Sequence, residues 1–332
     1  MRFSLSARFR ILAAVLAILA VAAGCGGASA TASAAATSPG GPAATSPTAT
    51  PTPSPTPSPT PEPSPTPPVP PFRHVYVIID ENKVYASVIG SNHASYINSL
   101  AARYGLATAF YAEAHPSQPN YIALFSGGTQ GVTSDGTYNL AVPSLFDQLD
   151  SAGKTWHVYA QAYPGHCYTG SSYGPATDGP GFAGWYARKH NPAISFTSIR
   201  RDPSRCAQIT GLKSFDPAAA DFELIIPNQY NDMHSTPPTG NAVRAGDEFL
   251  KAFLPSILGS PAFEDSVVFI TWDEGNAVDQ HIPTLVISPG MTPGYRSAEH
   301  YTHYSMLRTI EEAWGLPYLG QAASAAPMLF PY

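Results

Sequence analysis

Three short stretches of the chain are almost continuously apolar: His74–Ile79 (HVYVII), Phe222–Ile226 (FELII) and Ser266–Trp272 (SVVFITW). Runs of that length, rich in β-branched residues and bounded by polar clusters, read as strands buried on both faces. Ala107–Ala112, Trp156–Ala162 and Ile282–Ser288 predict three more strands. Helices are predicted over Ser95–Tyr104, closed by Gly105, and from the turn after Ser117 through Tyr121, Ile122, Leu124 and Phe125 to Gly127-Gly128. Further helices are expected from Ser144 and Asp147 to Gly153, over Ala242–Leu258, and over His303–Trp314 before Gly315 and Pro317. Strand and helix alternate, so the expected fold is α/β with a largely parallel sheet. Residues 72–332 have the length of one domain. Within it, 163–210 breaks the pattern with frequent Gly, Pro and Ser and is expected to be an insertion or lid.

The beginning of the chain does not belong to that fold. Arg2, Arg8 and Arg10 precede an apolar run over Ile11–Ala23, too short for a comfortable membrane span, and Ala22-Ala23-Gly24-Cys25 follows. Residues 1–24 are therefore expected to be a secretory signal, with Cys25 resembling a lipoprotein acceptor even though Ala22 stands where Leu is more usual; without lipid on Cys25 the protein would be secreted. From 25 to 71 the chain is mostly Ala, Thr, Ser and Pro and holds 15 of its 35 prolines, so no core can form there. Extended polyproline II at about 3.1 Å per residue would give this stalk a reach on the order of 140 Å.

Net charge is -6 and becomes more negative once the signal arginines leave, which argues against a nucleic-acid partner. No second apolar stretch is long enough to span a membrane, so contact with a bilayer is expected through the lipid alone. Of the three cysteines, a lipidated Cys25 leaves Cys167 and Cys206 as a pair. Their bridge would contribute roughly 4 kcal/mol on the chain-entropy account.

Polar clusters follow the apolar strands at Glu81-Asn82, Asn228–His234 and Asp273-Glu274. In open α/β sheets ligands sit outside the carboxyl ends of the strands, so these clusters are expected to meet. They bring hard oxygen donors and imidazoles together, which suits a divalent cation and a phosphoryl group. Ser117, ahead of a helix, is either a simple N-cap or a nucleophile.

DENKVYASVIG, HPSQPNYIALFSG, YARKHNP, IIPNQYNDMH, FITWDEGN and YTHYSMLRTIEEAWGL together resemble, in order along the domain, the bacterial phosphoesterase family of acid phosphatases and phospholipases C, within the alkaline phosphatase superfamily. The resemblance implies an alkaline-phosphatase-like fold, a mainly parallel sheet between helices. It implies Ser117 as the nucleophile that becomes phosphorylated. Glu81, Asn82, Asp273 and Glu274 fall with Ser117 on metal positions, Glu274 standing where relatives often have Asp. His234 and His303 fall on histidines that surround the phosphate or protonate the leaving group, His234 being the preferred donor. His115, Asn120 and His190 are candidate substrate-binding residues, His190 bringing Arg188 and Lys189 over the phosphate. His281 is either a rim residue or a ligand; His74, His93, His157, His166 and His300 are read as structural or exposed.

The expected protein is an extracytoplasmic, lipid-anchored, metal-dependent phosphomonoesterase acting on a small phosphate ester through phosphoserine. A phospholipase C-type phosphodiesterase and a non-catalytic surface binding protein are the alternatives. A sulfatase is disfavoured, because Ser117 lacks the Cys/Ser-x-Pro-x-Arg context.

Overall fold

The computed structural model describes residues 69–176, 184–238 and 240–332. The expected signal, Cys25 and the stalk as far as residue 68 lie outside the described residues. In chain order the strands are β1 (His74–Asp80), β2 (Gly105–Tyr111), β3 (Trp156–Ala160), β4 (Ser172–Ala176), β5 (Gly184–Ala187), β6 (Ile209–Gly211), β7 (Phe222–Ile226), β8 (Ser266–Trp272), β9 (His281–Ile287), β10 (Arg296–Ser297) and β11 (Tyr301–Thr302). The helices are α1 (Tyr85–Val88), α2 (Ser95–Arg103), α3 (Ser117–Ser126), α4 (Leu145–Ser151), α5 (Thr197–Arg200), α6 (Pro203–Cys206), α7 (Ala242–Phe253), α8 (Pro255–Leu258) and α9 (His303–Ala313). None of them is long and apolar enough to cross a membrane.

One large sheet runs in the order β10-β2-β9-β8-β1-β7-β3-β6, with β11 beside β2. All its pairings are parallel except those of β9, which lies antiparallel to both β2 and β8. The exception has a local cause: the link between β8 and β9 is only Asp273–Gln280, shorter than the dozen or more residues a parallel crossover needs. Strands β1, β7 and β8 are buried along their whole length, as their unbroken apolar runs require. The expected α/β fold with a mainly parallel central sheet is the one observed.

Two elements depart from expectation. The helix over Ala242–Leu258 is broken after Phe253, because Pro255 has no N–H to continue the ladder and starts α8 instead. The stretch 163–210 is not without regular structure: β4 and β5 form an antiparallel hairpin, α5 and α6 follow, and β6 begins at Ile209 as the sheet's edge. Cys167 and Cys206 are disulfide-bonded with Cα atoms 5.5 Å apart, tying the start of this stretch to the end of α6.

Candidate active site

Strand β1 delivers Asp80 and Glu81, β8 delivers Asp273 and Glu274, and the loop after β7 delivers Asp232 and His234, all at the carboxyl edge of neighbouring strands. Backbone contacts lock the three ends together: Asp273 N–H donates to Asp80 O at 3.0 Å, and Glu81 N–H to Asp232 O at 2.6 Å. Asn82 turns with φ at 53°, and its N–H donates to Asp273 Oδ1 at 3.0 Å.

Ser117 enters this pocket from the first turn of α3. It is not the cap, since Pro116 holds that position and no side chain caps the helix. Its hydroxyl instead lies 3.1 Å from Glu81 Oε2 and 3.2 Å from Glu274 Oε1. The turn before it is clasped by Asn120, whose Oδ1 accepts from the N–H groups of Glu113 and Ala114 and whose Nδ2 donates to Ala114 O. Asn120 was expected to bind substrate; it is buried with its amide spent on that loop, so it shapes the Ser117 turn instead.

Histidines divide into several groups. His190 is buried, with Nε2 3.0 Å from Glu81 Oε1 and Nδ1 3.2 Å from Asp232 Oδ2, and its ring stacks on Tyr121. It is thus an inner member of the acidic cluster and not a rim contact for substrate. His234 Nδ1 lies 3.1 Å from Ser235 Oγ, and its Nε2 faces Lys189 Nζ at 3.5 Å. One ligand atom each from Glu81, His190 and His234 lie within 4.8 Å of one another. His115, half exposed, places Nδ1 2.5 Å from Glu274 Oε2. His303 does not meet its expectation: its Nδ1 lies 2.5 Å from Glu113 Oε2 and its Nε2 2.9 Å from Trp272 O, which leaves neither nitrogen for a phosphate or a leaving group. It braces the end of β8 from behind. His281 Nε2 bonds to Thr108 O and its ring lies between Tyr85 and Tyr111, a structural place at the rim.

Lys189 does reach the cluster, held at 2.8 Å by Asp135, whereas Arg188 does not. The Arg188 guanidinium is buried against the carbonyls of Thr169, Tyr138 and Ile194 and knits the insertion to the domain. Asp135 also accepts the Gln118 N–H at 3.0 Å, so one carboxylate fixes both the opening of α3 and Lys189.

The electrostatics are those of an overfilled acidic pocket. Burial, reinforced by Asp273, pushes Glu81 well above the ordinary carboxylate range, and burial does the same to Asp80 and Asp232. Asp273 is raised by burial as well, while burial and Asp273 push Glu274 up to about 7 against the pull of His115. Burial, then Lys189 and His234, hold His190 well below its usual value, so it stays neutral between two acids. Both oxygens of Asp80, Asn82 Oδ1 and Asp273 Oδ2 are buried with no hydrogen-bond partner. Buried acceptors are rarely left so, and several carboxylates close together demand positive charge. The donor set is all oxygen and imidazole, so these residues fit a hard divalent cation.

Comparison with known proteins agrees with this chemistry. The model of the Phosphoesterase family matches residues 90–317. The chain belongs to the Phosphoesterase family. It is a hydrolase of phosphoric esters. This phosphoesterase is 34% identical over 263 residues to a phosphatidylinositol-3-phosphatase of Mycobacterium tuberculosis, covering 78% of this chain and 83% of that one. It is 30% identical over 243 residues to an acid phosphatase of Aspergillus fumigatus, covering 69% of this chain but only 53% of the fungal enzyme, about half its length. Among solved structures, a protein of glycosaminoglycan metabolism in Bacteroides thetaiotaomicron superimposes with a TM-score of 0.54 at 12% identity, over 78% of this chain and 81% of that one, a likeness of fold alone.

Tyr121, Glu113 and Asp135 are functional neighbours that the sequence did not single out, and Asp232 entered only as part of the Asn228–His234 cluster. Tyr121 was counted as part of an apolar helix stripe, yet it stands four residues after Ser117, on the same face, and its hydroxyl donates to Glu81 Oε1 at 2.5 Å. Asp232 follows a strand as Glu81 does, the position that put its cluster at the sheet edge.

Proposed function

We propose that this phosphoesterase is an acid phosphatase-like phosphomonoesterase, exported and held at the outer face of the bacterial cytoplasmic membrane by lipid on Cys25, and that it works through a phosphoserine at Ser117. The observation that carries the reading is the Ser117 hydroxyl set between Glu81 and Glu274 among buried oxygens that lack partners. Glu81, Asn82, Asp273, Glu274 and Ser117 would hold a divalent cation, which when bound acidifies the serine hydroxyl and neutralises charge on the phosphoryl group. The hydroxyl has two carboxylates within reach for its proton as its oxygen attacks phosphorus. Lys189, anchored on Asp135, offers its ammonium to the phosphoryl oxygens. His234 protonates the departing alkoxide as the phosphorus–oxygen bond breaks, and then takes a proton from the water that attacks the phosphoserine. Phosphate leaves and Ser117 regains its proton. Export is supported by the arginine, apolar and small-residue order before Cys25 and by the Cys167–Cys206 bridge.

The direct test is trapping. Acid quenching during turnover of a labelled phosphomonoester is expected to leave one phosphate on the peptide containing Ser117. Steady turnover with no trapped phosphate on that peptide, at any quench time, overturns the mechanism. Mass spectrometry of the membrane fraction is expected to find Cys25 diacylated at a new N-terminus; an unmodified Cys25 removes the anchor.

A further inference from the structure

Beyond β7 the same carboxyl edge continues over β3 and β6, and there it opens into a groove of ≈ 940 Å³. Its walls include Tyr163, Tyr173, Trp185, Leu212 and Phe253, with Lys213 as its cation. Large apolar side chains are seldom left in water, yet Tyr173 is 51% and Trp185 42% exposed, two of only four so exposed among the described residues. They stand on the paired strands β4 and β5, and both line the groove.

Residues lining the groove hold the loop that serves the acidic site. Gln161, which lines the groove, accepts from Asn228 N–H at 3.0 Å and from Asn231 Nδ2 at 2.9 Å, holding the loop that carries Asp232 and His234. Trp185 O accepts from Gln229 N–H at 3.1 Å on the same loop. From Trp185 the chain runs through Tyr186 straight to Lys189 and His190, a contour on the order of 18 Å at most. Neighbouring strands lie about 4.8 Å apart, so the end of β3 is one strand spacing from the end of β7. An ester whose phosphate lies at Ser117 and whose alcohol extends past His234 would lay that alcohol toward the groove.

We propose that the groove receives the apolar part of the departing alcohol, so that the substrates are phosphate monoesters of long-chain alcohols and not small hydrophilic ones. This rests on the phosphomonoesterase reading and names the substrate class for that site. The groove acts only by burying methylenes, each of which contributes up to about a fourfold gain in kcat/KM while space remains.

The experiment compares ethyl, hexyl and decyl phosphate, all below their aggregation concentrations, with glycerol 2-phosphate; the leaving oxygens are similar in basicity, so differences report binding of the alcohol. The expected result is a kcat/KM at least tenfold higher for decyl than for ethyl phosphate. Tyr173→Ala combined with Trp185→Ala is expected to flatten that rise while glycerol 2-phosphate turnover stays within twofold of wild type. Phosphatidic acid in phosphatidylcholine vesicles forms a further arm: variant-sensitive turnover there points to lipid as the source, and sensitivity confined to soluble decyl phosphate points to free alkyl phosphates. A kcat/KM independent of chain length, or a variant that slows glycerol 2-phosphate as much as decyl phosphate, overturns the proposal while leaving the phosphomonoesterase reading intact. If no monoester is turned over, that reading falls and the groove assignment falls with it.

Discussion

Carboxylates are buried in two very different settings in this molecule. At the strand ends Asp80, Glu81, Asp232, Asp273 and Glu274 crowd together, with His190, His234 and Lys189 around them. In the body of the sheet Glu223 sits in mid-β7 with Tyr76 and His157 as its cross-strand neighbours. Burial, aided by Asp216, pushes it up to about 8, so near neutrality it carries its own proton. A lone buried acid can be neutralised by protonation, but a cluster that is to stay ionised needs a cation. The contrast separates carboxylates placed for chemistry from one that the fold merely tolerates.

The sharpest break would come at Ser117. Ser117→Ala is expected to lower kcat by at least about 10⁴-fold in steady-state assays, as for loss of a covalent nucleophile. Because the hydroxyl caps nothing, the melting temperature should move by no more than about 2 °C. A folded, cation-loaded variant that still turns over near the wild-type rate would return Ser117 to a structural role. Next in size is the cation itself. Chelation is expected to abolish turnover reversibly, and added divalent cation to raise the melting temperature by several °C through binding to the folded state alone. Asp273→Asn should erase that thermal shift and Glu223→Gln should keep it. If both variants respond alike in calorimetry, the two kinds of buried acid are not distinct.

Leaving-group dependence gives a smaller effect. His234→Ala should slow alkyl phosphates by about 10²-fold or more and p-nitrophenyl phosphate far less, since a proton donor matters most where the departing oxygen is most basic. A uniform loss across a leaving-group series removes His234 as the acid. The smallest effect concerns Glu223. Its folded value of about 8 lies above its ordinary 4.5, so between these the folded state holds a proton that the unfolded chain has released. Its contribution is therefore complete below about pH 4.5 and declines as pH rises through about 8. Glu223→Gln should match wild type in melting temperature at pH 4.5 and exceed it by a few °C at pH 9. An unchanged difference between the two pH values would show that Glu223 is already paired.

The framework of the domain was legible because its signals are local. HVYVII, FELII and SVVFITW can hardly be anything but buried strands, and each runs straight into the polar cluster it delivers. The gathering of Glu81, Ser117, Asp273 and Glu274 at one edge follows from strand order alone once the sheet is accepted as mainly parallel. Illegible were the contacts made across long separations. Nothing near Asn120 announces that its amide closes a turn, nor does the helix start at His303 announce the carboxylate of Glu113 behind it. The antiparallel β9 was readable in principle from the short Asp273–Gln280 link. The hairpin in 163–210 was hidden because Gly and Pro dominate its composition, although that hairpin leads directly to Lys189 and His190.

The helix that carries Ser117 is buried at every one of its ten positions, Ser117 to Ser126. A helix so short is marginal in water, and one enclosed on all sides has no solvent face from which to fray. During folding it cannot persist before the strands and the opposing α9 are in place, so catalytic competence should be among the last properties acquired. Refolding followed by circular dichroism should recover its signal ahead of enzyme activity. On heating, activity should vanish together with the whole domain and not at some lower temperature of its own.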